Sequence, residues 1–405
     1  MATGANRKPM SRRLPFLFIL TTVAIDSMGI GLILPVMPDL IREVDGGSLA
    51  EAAIWGGILS TVFAVMQFLC GPTLGSLSDR YGRRPVLLIS LAVMALDYLV
   101  MALAGTIWLL LLGRIVGGIT SATQATATAF IADLSKPEEK AANFGLVGAA
   151  FGIGFVIGPL IGGVLGEYGT RAPFYAAAAL AAANLVFGYF ILPETVTDRI
   201  RRPFSWARAN PLGALLQVGQ LPGVGRLLTM FLLYQIAFFV YPSIWAFFTR
   251  ARFGWDPAMI GFSLGTFGIA IALVQGGLIR LILRRLGERN TVIYGLVFNF
   301  CAFLSLALVT SGTVALILVP LTALGAVVTP ALQGMMSRTV PDDAQGELQG
   351  VISSMAAIAM IVSPIAMTQL FAAFTAADAP VQFAGAPFLL SMTLMIACFA
   401  VFVTR

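Results

Sequence analysis

The chain reads as an all-α integral membrane protein with twelve transmembrane helices in two pseudo-symmetric six-helix bundles. Three observations carry that prediction. Of its 405 residues, 58% are apolar and only 11% charged, against about 25% charged in an ordinary soluble domain. Twelve crossings of about 20 residues need about 240 in all, and the apolar share comes close to supplying them. A long polar break then divides the apolar runs six and six, and one constant offset relates the two sets.

The first six runs fall at 14–36, 54–74, 85–104, 106–131, 143–166 and 172–192. The second six fall at 226–248, 259–283, 291–310, 312–336, 347–371 and 383–404. A helix satisfies its own backbone in lipid, which an isolated strand cannot do. Turn formers and charges cut the breaks: Pro38 to Gly47, Asp79 to Pro85, Ala104 to Thr106, Ser135 to Pro137 and Gly169 to Arg171. The first run is too long, and too polar at Asp26, for a cleaved signal peptide, so it reads as a retained helix. Three units are expected: a bundle over 1–192, a linker over 193–225 lying along the membrane surface, and a second bundle over 226–405. Arg199, Arg201, Arg202, Phe204, Trp206 and Pro211 give the linker its interfacial character.

An offset of 205 aligns Gly71 with Gly276, Arg80 with Arg285, Gly82 with Gly287 and Arg84 with Arg289. It also aligns Gly145 with Gly350 and Pro159 with Pro364. Internal repeats in transporters mark two units whose interface holds the substrate.

Charge supplies orientation. Of 25 Lys and Arg, 20 lie at the chain ends and in every second break, among them Arg7, Lys8, Arg12 and Arg13. Arg42, Arg171, Arg250 and Arg252 lie on the other side, and Arg114 lies inside a span. The positive-inside rule then puts both termini in the cytoplasm, with the chain crossing the inner (cytoplasmic) membrane. The net charge of +6 is thereby a topology signal. It does not form the basic face that a nucleic-acid partner requires.

Several chemistries are excluded. Without histidine there is no imidazole acid–base catalysis and no His metal site. Cys70, Cys301 and Cys398 lie in apolar runs without metal-ligand spacing, and no Walker phosphate loop is present. No metal, no cofactor and no enzymatic activity are expected. A channel built from oligomeric pore rings fits poorly with a chain that contains its own pseudo-symmetric pair, so the protein is expected to work as a monomer.

Between runs two and three stands Gly75 followed by Asp79-Arg80-Tyr81-Gly82-Arg83-Arg84-Pro85. This stretch resembles the loop 2–3 signature of the major facilitator superfamily. The resemblance implies that Asp79, Arg80, Arg83 and Arg84, with Gly75 and Gly82, latch the two halves in one access state. The repeat copy, Arg284-Arg285-Leu286-Gly287-Glu288-Arg289, has no acid at the position of Asp79. Run five carries Gly154, Gly158, Pro159, Gly162 and Gly163, and its Gly-Pro stretch resembles the span-five motif of drug:proton antiporters. Small residues four apart also serve plain close packing of helices.

Asp26 to Pro38, Leu96-Asp97-Tyr98, Phe253-Gly254-Trp255 and Pro330 to Gly334 are similar to stretches of the tetracycline-resistance exporters. That branch uses a span-eight histidine and a span-nine aspartate for coupling. Here Ile271 and Asn299 stand at the matching positions.

A charge at a helix centre costs roughly 2.5–3.5 kcal/mol on insertion scales, so in-span ionisable groups are the first candidates for function. Asp26, Asp97 and Arg114 are three such groups, all in the first half. Asp97 and Arg114 lie at nearly the same depth, eight residues before Gly105 and nine after it. They can pair where their faces meet. A structural or gating pair and a direct transport role fit Asp97 equally. Asp26 has no opposite charge on its own helix nearby, so exchange between a proton and substrate suits it. Inert hydrogen bonding to Thr22 or Ser27 is the alternative. Gln67, Gln124, Tyr234, Gln235, Trp245, Asn299 and Gln333 complete the candidate cavity, each equally able to serve as an interhelical tie. Such a pocket suits a lipophilic or cationic, drug-like molecule. The expectation is a proton-coupled exporter working by alternating access. A uniporter or uptake carrier on the same scaffold is the alternative, raised by Ile271 and Asn299.

Overall fold

The structure, a computed structural model, describes residues 13–121, 123–196, 223–341 and 344–403, with a few single positions between 197 and 222. Among the described residues all regular structure is helical. The N-terminal bundle contains α1 (Arg13–Ile33), α2 (Met37–Asp45), α3 (Leu49–Tyr81), α4 (Arg83–Leu103), α5 (Ile107–Thr120), α6 (Thr123–Leu134), α7 (Lys140–Gly166) and α8 (Ala172–Ile191). The C-terminal bundle contains α9 (Gly225–Phe238), α10 (Val240–Phe253), α11 (Pro257–Leu273), α12 (Ile279–Leu308), α13 (Gly312–Thr322), α14 (Val328–Thr339), α15 (Gln345–Ala373) and α16 (Ala386–Val403).

Among the described residues eleven helical stretches are long and apolar enough to cross a membrane. The longest, Pro257–Leu308, has 52 residues, about 78 Å at 1.5 Å per residue, which is far more than one hydrocarbon core. It bends at Gly287, whose φ of 71° and ψ of 172° lie outside the helical region. The stretch is therefore two spans, and the described residues supply twelve.

Two breaks differ from expectation. The Pro38–Gly47 break holds a helix, α2, with Pro38 at its start, Asp39 in its first turn and Gly46 closing it in the left-handed region. Leu40 and Ile41 are its buried face. The Asp79–Pro85 break shrinks to Gly82 alone: α3 runs through Asp79 and Arg80, and α4 starts at Arg83. Only a residue tolerating Gly82's φ of 115° can make that one-residue turn.

The 205-residue offset recurs in the geometry. Gly82 and Gly287 both take positive φ. Pro159 and Pro364 both lie inside long helices. Span four breaks between α5 and α6, and span ten at the matching place, where Ala323–Val327 forms a 3-10 turn. A charge pair repeats as well, with its signs exchanged. Arg83 pairs with Asp133 at 3.2 Å, and residues 288 and 338, each 205 further on, are Glu288 and Arg338, also paired.

The bundles meet along two seams, α3 against α15 and α7 against α11. Both seams lie toward the face opposite the basic loops. A Cβ added at Gly57 would strike Thr368 and the Pro364 carbonyl, and one at Gly163 the Pro257 carbonyl at 2.5 Å. Thr61 donates to the Ile361 carbonyl at 3.0 Å. Toward the basic face the same helices separate: Gly71, Gly75, Gly145, Gly148, Gly152, Gly276 and Gly346 have open space where a side chain would be. The molecule is closed at one face and open at the other.

Candidate functional site

The in-span charges gather in the N-terminal bundle. Asp97 of α4 and Arg114 of α5 meet at 3.3 Å, with side chains 4% and 11% exposed. The pair is fitted into glycine: a Cβ at Gly113 or Gly117 would lie 2.7 Å from a carboxyl oxygen of Asp97. Arg114 also lies over the Phe63 ring at 5.3 Å and reaches the Met101 sulfur. One oxygen of Asp97 is left buried without a hydrogen bond.

Asp26 stands apart on α1. It is half-buried, and among the described residues it forms no hydrogen bond or ion pair. Thr22, one turn earlier, donates to Asn184 of α8 at 3.2 Å. Ser27 donates to the Phe151 carbonyl of α7 at 2.6 Å. The glycines of α7 explain how α1 is held. Cβ atoms at Gly154, Gly158 and Gly162 would strike the carbonyls of Ala24, Met28 and Leu32, and Pro159 sits against Gly31. Gly163 continues the same face onto α11 across the seam. This stretch is close packing on both sides, within its bundle and between bundles.

The charged loop at Gly82 is tied inward. Arg83 reaches Asp79 at 2.5 Å and Asp133 at 3.2 Å. Glu194, just past α8, accepts the backbone N–H of Arg83 at 2.9 Å and of Arg84 at 3.2 Å. Arg84 donates to the Tyr189 carbonyl at 2.7 Å, and Arg80 lies over the Tyr81 ring. In this conformation Arg83 and Arg84 find these partners within their own bundle rather than across the halves, because the halves are apart at this face. Asp133 and Glu194 were passed over in the sequence reading. For Glu194 the signal was present, since it opens a break otherwise dominated by arginine; Asp133 stands in a break of mixed acids and lysines that does not single it out.

The expected cavity set is dispersed. Trp245 lines a pocket of about 40 Å³ beneath the closed face, together with Met37 and Ser60 from the N-terminal bundle and Tyr241, Phe247 and Leu264 from the other. Tyr241 was missed in the sequence reading because one tyrosine in an apolar run carries no signal of its direction. Trp245 is itself fixed by donation to Ser263 at 2.9 Å.

Tyr234 and Asn299 belong to a buried seam instead of an open wall. The 3-10 turn of span ten frees the Gly325 carbonyl, which accepts from Asn299 at 2.9 Å and from Tyr234 at 3.2 Å. Asn299 gives its other hydrogen to Gly295 at 2.8 Å. Gln235 accepts from Thr329 at 3.3 Å and is half-buried. Gln67 and Gln333 are half-buried, and Ile271 packs partly buried against the C-terminal core. The side chain of Gln124 lies outside the described residues, as do Arg7, Lys8, Arg12, Arg199 and Arg202. Among the described residues no cluster of three or more His, Cys, Asp or Glu could hold a metal.

Two repeat-related bundles of six spans, touching at one face and parted at the other, define a multi-pass membrane transporter rather than an enzyme. The particular family follows from comparison. The Major Facilitator Superfamily profile matches residues 19–364, and the chain belongs to that superfamily. It is 42% identical to the tetracycline resistance protein, class C, of Escherichia coli over 88% of this chain and 89% of that one. It is 26% identical to multidrug resistance protein 2 of Bacillus subtilis (strain 168), over 86% of each. The crystal structure of the human organic anion transporter MFSD10 (TETRAN) superposes with a TM-score of 0.70 at 25% identity, covering 97% of this chain and all of that one. A bacterial homolog of the human lysosomal transporter Spinster, inward-facing and occupied, superposes with a TM-score of 0.79 at 16% identity, covering 98% and 97%. At that identity it bears on the fold alone.

Proposed function

We propose that this protein exports a lipophilic or cationic drug-like molecule, tetracyclines among the candidates, in exchange for protons by alternating access. The basic loops and both termini face the cytoplasm of a cell whose inner membrane the chain spans, and the conformation described is then inward-open. A single chain suffices, because it holds both halves. The observation that carries the reading is Asp26: a half-buried in-span carboxyl without an ion-pair partner among the described residues, whereas Asp97 is committed to Arg114. A carboxyl in that position exchanges a proton more cheaply than one locked to an arginine, because protonation there breaks no ion pair. Likeness to tetracycline resistance proteins supports the drug-like substrate.

The test is transport by the full chain in proteoliposomes with an imposed pH gradient, using tetracycline and lipophilic cations such as ethidium. Substrate addition is expected to release protons stoichiometrically, and Asp26→Asn to abolish the coupling. Equal transport with and without the gradient would favour the uniporter. An Asp26→Asn protein matching the unmodified chain in rate and pH dependence would remove Asp26 from the mechanism.

A further inference from the structure

We propose that Asn184 and Tyr98 form the seat that receives the Asp26 carboxylate once its proton has left, making them positioning residues for the exchange. The inference rests on the reading of Asp26 as the proton site and adds the groups that hold it.

Thr22, Asp26 and Gly29 lie at i, i+4 and i+7 along α1, so they share one helix face. That face is not the one packed on α7, which presents Ala24, Met28, Gly31 and Leu32. It is turned into the N-terminal bundle. At one end of the stripe Thr22 binds the Asn184 carbonyl oxygen. The Asn184 amide nitrogen, on a side chain with the residue only 2% exposed, is left without an acceptor. At the other end the Tyr98 hydroxyl is pressed against Gly29, where a Cβ would lie 2.6 Å from it.

Two donors without acceptors therefore flank Asp26, each within about one turn. Among the described residues neither the Asp26 carboxyl nor the Tyr98 hydroxyl makes a hydrogen bond. The Cα–Cβ bond of a helical residue leans toward the helix N-terminus, which aims Asp26 at Thr22 and Asn184. A buried donor without a partner, as the Asn184 amide nitrogen is, is uncommon and costly, and a carboxylate arriving beside it satisfies it and takes the Tyr98 hydroxyl as a second donor.

The step is a proton transfer: the carboxyl O–H bond breaks, the proton passes to water in the open cavity, and the carboxylate accepts the Asn184 N–H and Tyr98 O–H. The same Tyr98 lies within electrostatic reach of Asp26, Asp97 and Arg114, which are the charged groups at this depth. The other titratable groups on helices packed around α1 stand near helix ends: Arg83 and Arg84 on α4, Asp133 on α6, Lys140 on α7, and Tyr175 and Tyr189 on α8.

Dicyclohexylcarbodiimide modifies protonated carboxyls, and peptide mass spectrometry reads which one. The purified full-length chain is titrated with the reagent from acid to alkaline pH, with no substrate present. Asp26 labelling is expected to persist to a pH higher by about half to one unit in Tyr98→Phe and in Asn184→Leu, because the charged form has lost a donor. Asn184→Gln, which keeps a donor, restores part of the shift. Tyr98→Phe removes a single oxygen and keeps the ring's packing, so it reports even where Asn184→Leu disturbs the bundle. Asp26 labelling that titrates in the unmodified chain and is unmoved in Tyr98→Phe and in Asn184→Leu overturns the seat while leaving Asp26 as proton site. Labelling of Asp26 that does not vary with pH at all overturns the reading of Asp26 itself, and the seat with it.

Discussion

Asp97 and Arg114 illustrate how far residue-level reasoning reaches. Their equal depth followed from counting residues to Gly105, yet whether their faces met depended on how α4 and α5 rotate. The contact at 3.3 Å is made possible by Gly113 and Gly117, which leave the carboxylate room. Removing one partner of a buried pair strands the other and costs about 3–5 kcal/mol, whereas removing both is close to neutral. Arg114→Met is therefore expected to lower the thermal unfolding midpoint of the detergent-purified protein sharply, and Asp97→Asn/Arg114→Met to recover most of the loss. A double variant as unstable as the single would show that the pair is not the stabilising unit. Asn299 teaches the opposite lesson. Its amide type suggested a cavity wall, and it proves to hold the freed carbonyl of a 3-10 turn, an irregularity that hydropathy cannot reveal.

At the scale of elements, α2 was hidden inside a break because it has only nine residues and four of them are charged. It is secured at its far end by Glu43, which accepts from Thr170 and pairs with Arg171 at 2.9 Å. The Thr170 hydroxyl, followed by the Arg171 guanidinium, holds the Glu43 carboxyl below its ordinary value of 4.5. A carboxyl depressed in the folded state contributes stability above its unfolded value and loses it as pH falls through the folded one. The protection of the α2 amides against hydrogen exchange, taken relative to the intrinsic rate at each pH, is thus expected to fall once pH drops below the ordinary carboxylate range, and Glu43→Gln to remove that pH dependence. Protection that stays unchanged at every acid pH would mean the tie does not stabilise α2. The one-residue turn at Gly82 was legible by residue type. Its support by Glu194, 112 positions further along the chain, was not.

For the whole molecule, the closed face is bolted by few polar contacts across the bundles. Asp39 of α2 pairs with Arg250 of α10 at 3.1 Å, and Glu167 accepts the Ala258 N–H at 3.3 Å. The alternating access proposed above requires both to part. The Asp39–Arg250 pair is partly exposed, 14% and 30%, so it is worth about 0.2–1 kcal/mol. Asp39→Asn should then raise the population open at this face about 1.4- to 5-fold. Electron–electron distance measurements between spin labels at Ser48 and Ser311 would read that population, and an unchanged distance distribution would exclude the pair as a bolt.

What the amino-acid sequence determined alone was everything set by local composition: twelve spans, two repeats at an offset of 205, and the residues able to carry charge inside them. These depend on the transfer of apolar surface into lipid, which acts on each segment separately. The tertiary structure decided which of those residues meet. It joined Asp97 to Arg114, left Asp26 without an ion pair among the described residues, and turned Tyr234 and Asn299 into a packed seam. Those outcomes hang on helix rotation and on where glycine lets backbones approach, which residues far apart in the chain settle together.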